Sequence, residues 1–559
     1  MKRLAQSLPA LICLAALGCR SASPPAATGQ LKPQLFHGVS DFRKPVTTSS
    51  KLAQKYVNQG FVWLYAFNHD EAIRSFTRAA ELDPDCPMAW WGIAYANGPH
   101  INNAAVEPDR AAAAWKAVTE AQKRATMGTP TEQAMIRAVA QRYADPHPAD
   151  RRPLDEAYAK AMKDVWHMHR DDPDVGTLYA ESLMNLQPWD LWTIDGQPKG
   201  NVLEVLDVLE QVMRMDKDHP GATHLYIHAV EASPHPEKGI AAADTLRRLV
   251  PMSGHLTHMP SHIDVQTGRW SLAADQNIRA IQSDQRYRKL APRQGFYHVY
   301  MAHNHHFLAF ASMMEGRSAT ALKAAREMVA GVPAEFVRDR PAWVDPVMGI
   351  ETDVLKRFGR WDDVLAMPQP PGNLPITTAM WHFNRGLAFA AKGQIAQAED
   401  EQKLFKAAVA KIPAGATMAI NPAETIMKIA EHMLTGEIEF RKGRVTEAVA
   451  SLREGVKLED TLLYMEPPDW IQPVRHTLGA VLVSGGMYDE AEKVYREDLE
   501  RWPENGWSLY GLASSLSAQG KTGEAREFEA RFRKAFARAD VKIGASCLCV
   551  SNRTARAHP

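Results

Sequence analysis

Two pairs of histidines stand four residues apart, His224-x-x-x-His228 and His258-x-x-x-His262. On a helix this spacing puts both imidazoles on one face, the separation that two ligands of a helix-borne metal ion require. Neutral imidazole is the commonest transition-metal ligand, and an ion needs several such groups converging from rigid elements. Eleven of the chain's 21 histidines fall between His219 and His306. Within that stretch His224, His228, His255, His258, His262, His303 and His306 are the candidate ligands, and Glu231 is the candidate acid–base group. Nitrogen ligands with one carboxylate nearby suit zinc, copper, iron or nickel better than magnesium or calcium. There are more imidazoles than one tetrahedral ion can use, which leaves some to orient ligands, move protons or bind a second ion. Solitary histidines usually serve as hydrogen-bond partners; His219, His235 and His298 are assigned that plainer role, His235 lying in a turn between Pro234 and Pro236.

The elements that must position these groups follow from a repeat. Tyr56, Gly60, Ala72, Phe76, Ala79 and Pro84 sit at the spacings of a tetratricopeptide (TPR) helix–turn–helix unit, and Trp90 opens the next unit 34 residues after Tyr56. Gly60 and Ala72 let paired helices approach closely, Phe76 fills the gap between repeats, and Pro84 ends the second helix. The same phase returns as a turn glycine leading into a small or aliphatic helix position at Gly268, Gly316, Gly359, Gly393, Gly443, Gly486 and Gly520. Strand signals are almost absent. The predicted fold is an all-α, TPR-like solenoid, a right-handed superhelix with insertions between repeats.

In such a solenoid the first helix of each pair faces a concave groove, through its second, fifth or sixth, and ninth places. Counting back from the Gly268 and Gly316 turns starts first helices near Gly254 and Ala302, and reading Pro220 as the end of a second helix starts another near Thr223. His224, His228 and Glu231, then His255, His258 and His262, then His303 and His306 all take groove-facing places. Three consecutive repeats therefore aim imidazoles at one groove. Pro260 is expected to disturb the middle helix.

Three other segments could line the groove: Gly98–Asn103, the Trp- and Pro-containing run from Met184 to Trp192, and Glu466-Pro467-Pro468-Asp469-Trp470. Connecting loops and interrepeat packing explain them about as well. Cys547 and Cys549 are read as a soft-metal pair, a disulfide or part of a free tail. No Gly-rich phosphate loop, nucleophile elbow or zinc-finger spacing is present.

Lys and Arg together number 65, as do Asp and Glu, so the formal charge is zero. That argues against an electrostatic grip on nucleic acid, which needs a clustered basic excess. The N-terminus reads as an export signal: Lys2 and Arg3, an apolar run from Leu8 to Leu17, then Gly18 directly before Cys19. Cys19 resembles the lipidated cysteine of a bacterial lipobox. The expected organisation is a signal peptide over 1–18, a tether and lead-in over 19–50, a histidine-rich array over 51–300, a second array over 301–540 and a tail over 541–559. The expected location is outside the cytoplasm, anchored to a bacterial membrane and facing the periplasm or cell surface.

The blocks His219–Glu231, Gly254–His262 and His303–Leu308 resemble those of a widespread family of bacterial TPR proteins, as do Phe67–Ala72 and Glu466–Trp470 at either side. The resemblance implies the repeat architecture over most of the mature chain, and His303 with His306 as the pair in the third block. It names no substrate. Three functions fit the sequence: an exported TPR protein with a transition-metal site (zinc, copper or iron) that could make it a metalloenzyme; a scaffold whose concave face binds a peptide or partner protein without metal; and a metal storage or delivery protein.

Overall fold

Glycine at a helix C-terminus admits the left-handed conformation that closes a helix sharply. All seven turn glycines from Gly268 to Gly520 take positive φ, between 64° and 82°. Each joins two antiparallel helices, as in His298–Met314 followed by Ser318–Gly331, or Gly506–Ala518 followed by Thr522–Ala535. The computed structural model describes residues 33–550 except 40, 293 and 294. The export signal, Cys19 and the Ser/Pro/Ala run behind it lie outside the described residues.

Twelve helix pairs succeed one another among the described residues, seven of them joined by these glycines, with one two-stranded hairpin pairing Thr417–Met418 with Asn421–Pro422. The protein is an all-α solenoid of TPR-like repeats. No described helix is long and apolar enough to cross a membrane.

The packing follows the residue types. A Cβ on Gly60 would lie 2.7 Å from the Phe76 ring, and one on Gly92 would lie 2.3 Å from it. Phe76 is therefore clamped between the first helices of two successive repeats, Lys51–Tyr65 and Pro87–Ala96. Tyr495 does the same between Gly479 and Gly511, where added Cβ atoms would lie 2.4 and 2.1 Å away. Aromatic-on-glycine packing at both ends of the array sets the close spacing of its coils.

The array does not stay open. The first five pairs curl until helix Lys51–Tyr65 meets helix Pro220–Val230: a Cβ on Gly221 would lie 2.5 Å from the Tyr65 ring. The Tyr65 hydroxyl donates to Asp174 at 2.5 Å, and Asn68 Nδ2 donates to the Tyr287 hydroxyl at 2.9 Å. Further along, the last repeats fold back onto the middle ones. Trp270 Nε1 donates to the Pro503 carbonyl and Trp507 Nε1 to the Met313 carbonyl, each at 2.8 Å. Asp540 accepts from the backbone N–H groups of Ser318 and Ala319, and Arg538 pairs with Asp275 at 2.7 Å. Three apolar cores result. The first runs from Phe36 to Met301, the second from Val265 to Ala388 with Trp502 and Trp507, and the third from Ile376 to Val550. Cys547 and Cys549 form a disulfide and are buried in the third core. The stretch 545–550 is thus packed against the array.

Candidate metal centre

The sequence placed the imidazoles together on the inner wall of a concave groove; the structure brings them together but encloses them, which a groove would not. His224, His228, His255, His258 and His262 are all at most 5% exposed. The tight curl of the first five pairs brings the inner face against itself, so the histidines line an interior. Two helix starts also differ from those expected, and Pro220, read in the sequence as the end of a helix, opens one instead. The helices begin at Pro220 and His298 rather than Thr223 and Ala302, because proline suits a first helical position and Tyr297 already has helical φ and ψ. The middle helix is interrupted as expected, as Gly254–His258 and Pro260–Gln266. Met259 between them keeps helical φ and ψ (−48°, −38°), so His258 and His262 still share a face.

Hydrogen bonds fix which ring nitrogen carries the proton at four positions. His224 Nδ1 lies 2.7 Å from the Tyr65 carbonyl, which can only accept. His258 Nδ1 lies 2.7 Å from Asn277 Oδ1, and that amide is itself oriented because its Nδ2 donates to the Ala273 carbonyl and Ser261 Oγ. His228 Nδ1 donates to Glu231 Oε1 at 2.8 Å, and His262 Nδ1 to Glu231 Oε2. In the neutral rings the Nε2 lone pairs of all four are left directed inward. Metal-bound histidines are held in this way, with the far N–H given to a carboxylate or carbonyl.

The inward nitrogens form two groups of three. His224, His228 and His255 make the first, with Nε2 of His255 3.1 Å from Nε2 of His224. His258, His262 and His303 make the second; Nε2 of His258 is 2.7 Å from that of His262 and 3.1 Å from that of His303. Glu231 joins them, holding one imidazole of each group, and His228 and His262 lie with ring centroids 5.7 Å apart. Both oxygens of Glu231, the expected acid–base group, are engaged by N–H donors, which makes it an orienting group. His306 belongs to neither group and has no hydrogen-bond partner among the described residues; it lines a neighbouring cavity.

Burial dominates the electrostatics. It drives His224, His255, His258 and His303 well below the usual histidine range, and neighbouring imidazoles push in the same direction. Burial also lowers His262, against the pull of Glu231. For Glu231, burial would raise the carboxyl, but His262 and His228 outweigh it and hold the carboxyl low. Glu466 is raised by burial and by the nearby Glu231. These rings stay neutral at physiological pH, the form that binds metal.

The histidines assigned plainer roles keep them. His219 caps helix Pro220–Val230 and reaches Asp174 at 3.2 Å, His235 is exposed beside Glu237, and His298 lies 3.4 Å from Arg288. Several contributors were named in the sequence only as parts of segments, with no role of their own. Phe67, a non-glycine residue at φ 53°, lays its ring on His100 and His224 at centroid distances of 4.5 and 4.6 Å. Strain of that kind persists only where the surroundings enforce it. His100 packs edge-on against His69, and burial lowers His69 to about 3. Glu466 Oε2 reaches His262 Nδ1 at 3.4 Å from more than 200 residues away. Trp189 stands edge-on to His228. The signals existed, since Phe67, His69 and Glu466 lie in the outer blocks and His100 and Trp189 in segments noted for the groove.

Fold and site together define an all-α array of TPR-like helix pairs closed around a buried histidine cluster. The tetratricopeptide repeat family matches residues 64–97 and 476–540, the two regions where Phe76 and Tyr495 are clamped between glycines. The chain therefore carries tetratricopeptide repeats near both ends of its array. A search of curated proteins finds no match. Among solved structures, a human IFIT1 dimer with PPP-AAAA is 14% identical, covering 87% of this chain and 91% of that chain with a TM-score of 0.32. The Cut9–Hcn1 hetero-tetramer of the APC/C is 12% identical, covering 86% and 76% with a TM-score of 0.29. Likeness at this level carries no argument about the site.

Proposed function

We propose that the protein binds transition-metal ions, one in each group of three imidazoles, with Glu231 linking the two. The observation that carries this is the pair His258 and His262. Each donates its Nδ1 proton elsewhere, yet their Nε2 atoms face each other at 2.7 Å with no donor hydrogen between them. Two lone pairs so placed repel unless a cation sits among them. His228 Nε2 is buried with no partner, the same unmet requirement in the other group. Zinc, copper or iron suits an all-imidazole set. Three protein ligands leave a coordination position open, as in sites where a bound metal polarises water or substrate.

The test is metal analysis of protein purified without a polyhistidine tag. Stoichiometric zinc, copper or iron is expected, lost when His228 and His262 both become alanine. Wild-type protein that stays metal-free after incubation with each ion defeats the proposal.

We also propose that the protein works outside the cytoplasm on a lipid anchor at Cys19, which the N-terminal sequence supports. A scaffold role for a protein or peptide partner is compatible with the repeats, but the buried imidazoles would take no direct part in it.

A further inference from the structure

A cavity of about 840 Å³ lies beside the second imidazole group, within the size range of small-molecule sites. Its inner end is formed by His303, His306 and Glu466, its walls include Met328, Ile350 and Met380, and Phe296 and half-exposed Trp343 stand toward solvent. The cavity exists because the array closes: Glu466 comes from the loop after helix Val445–Glu459, and His303 from helix His298–Met314.

The polar groups around it divide into two kinds. Charged side chains along the wall are mostly paired within the protein. Arg110 holds Asp70, Lys356 lies 3.4 Å from Asp353, Asp345 accepts the backbone N–H groups of Ile376 and Thr377, and Asp469 accepts from Asn421. At the inner end the opposite holds. Glu466 Oε1 accepts from the Tyr464 hydroxyl and Gln266, but Oε2, 3.4 Å from His262 Nδ1, is buried without a hydrogen bond, and His306 makes none among the described residues. Arg288 and Arg340 also line the cavity with no carboxylate partner among the described residues, but both are exposed, so a charged ligand would find free countercharge only at exposed side chains and none at the inner end. A molecule with one uncharged polar group would meet unpaired partners at the inner end and apolar surface elsewhere.

We infer that this cavity holds a neutral, mainly aromatic or alicyclic molecule bearing a hydroxyl, with the hydroxyl at His306 and Glu466 and facing the imidazole group that contains His303. The placement beside an ion rests on the metal reading above; the occupancy of the cavity does not.

The probe is 2-naphthol, titrated by fluorescence into the full chain, with naphthalene and 2-naphthoate for comparison. One saturable site is expected, with naphthol bound roughly tenfold or more tighter than naphthalene, the worth of one good buried hydrogen bond. His306→Phe should bring naphthol down to the naphthalene level. Met380→Trp, which fills the wall, should weaken both by at least about tenfold. If Met380→Trp does not fold, judged by helical circular dichroism, Ile350→Phe tests the same wall. Naphthoate binding more tightly than naphthol, or affinity indifferent to both wall and His306 changes, overturns the inference. With cobalt(II)-loaded protein, naphthol should shift the visible absorption band; an unmoved band with cavity binding intact overturns the placement beside the ion. A chain that binds naphthol as described but holds no metal sinks the metal reading and keeps the cavity assignment. One that holds metal and ignores naphthol does the reverse.

Discussion

Replacing Glu231 by leucine removes both carboxylate oxygens at nearly constant side-chain size, and its consequences can be worked from the geometry. Glu231 accepts Nδ1–H from His228 in one imidazole group and from His262 in the other. Without it each ring loses the contact that fixes its tautomer and orientation. Losing such a partner typically costs ten- to a hundredfold in metal affinity, or about 1.4–2.7 kcal/mol per ion. Glu231→Leu should therefore weaken two binding steps at once. Asn277→Leu is the matched control, because Asn277 holds only His258, in the second group; it should weaken one step by a similar factor and leave the other alone. Titration of apo-protein with the metal against a chelator of known affinity resolves the two steps. Equal two-step affinities in wild type and Glu231→Leu would refute the linking role. Loss of both steps in Asn277→Leu would refute the division into two groups.

Three further outcomes are expected. Gly92→Ala drives a methyl into the root of the Phe76 ring, so it should cost about 1–3 kcal/mol despite a better helix former, read as a lower Tm. Glu181 is raised to about 8 by burial, with only Asn185 as partner. The folded chain therefore keeps a proton that the unfolded chain releases above about pH 4.3, and stability should fall by about 1.4 kcal/mol per pH unit until the folded carboxyl also ionises. Glu181→Gln should abolish that slope in urea titrations across pH 5 to 8, and an unchanged slope would show that the carboxyl is already ionised. Finally, metabolic labelling with palmitate in a bacterial host should mark wild-type protein and not Cys19→Ala; label on both variants would exclude Cys19 as the anchor.

Much of this architecture was legible in the sequence because it is written locally. A turn glycine, a small residue five places on and an aromatic that fills the gap are all contacts between neighbours in the chain, and Gly268 through Gly520 take the positive φ expected of such turns. The imidazole spacing was local too, so His258 and His262 share a face even across Pro260. What spacing could not convey was curvature. Whether coils one and five touch depends on small rotations accumulated over four repeats, so the burial of His224 beneath the Tyr65 carbonyl was invisible. The contact of Glu466 with His262 and the cavity were hidden for the same reason, since they exist only where distant repeats meet.

The seam made by Trp270 on Pro503 and Trp507 on Met313 has a mechanical consequence. An open chain of repeats can fray from its end, shedding one unit at a time at modest cost. A bracelet fastened by a clasp cannot. Its terminal units let go only when the clasp opens.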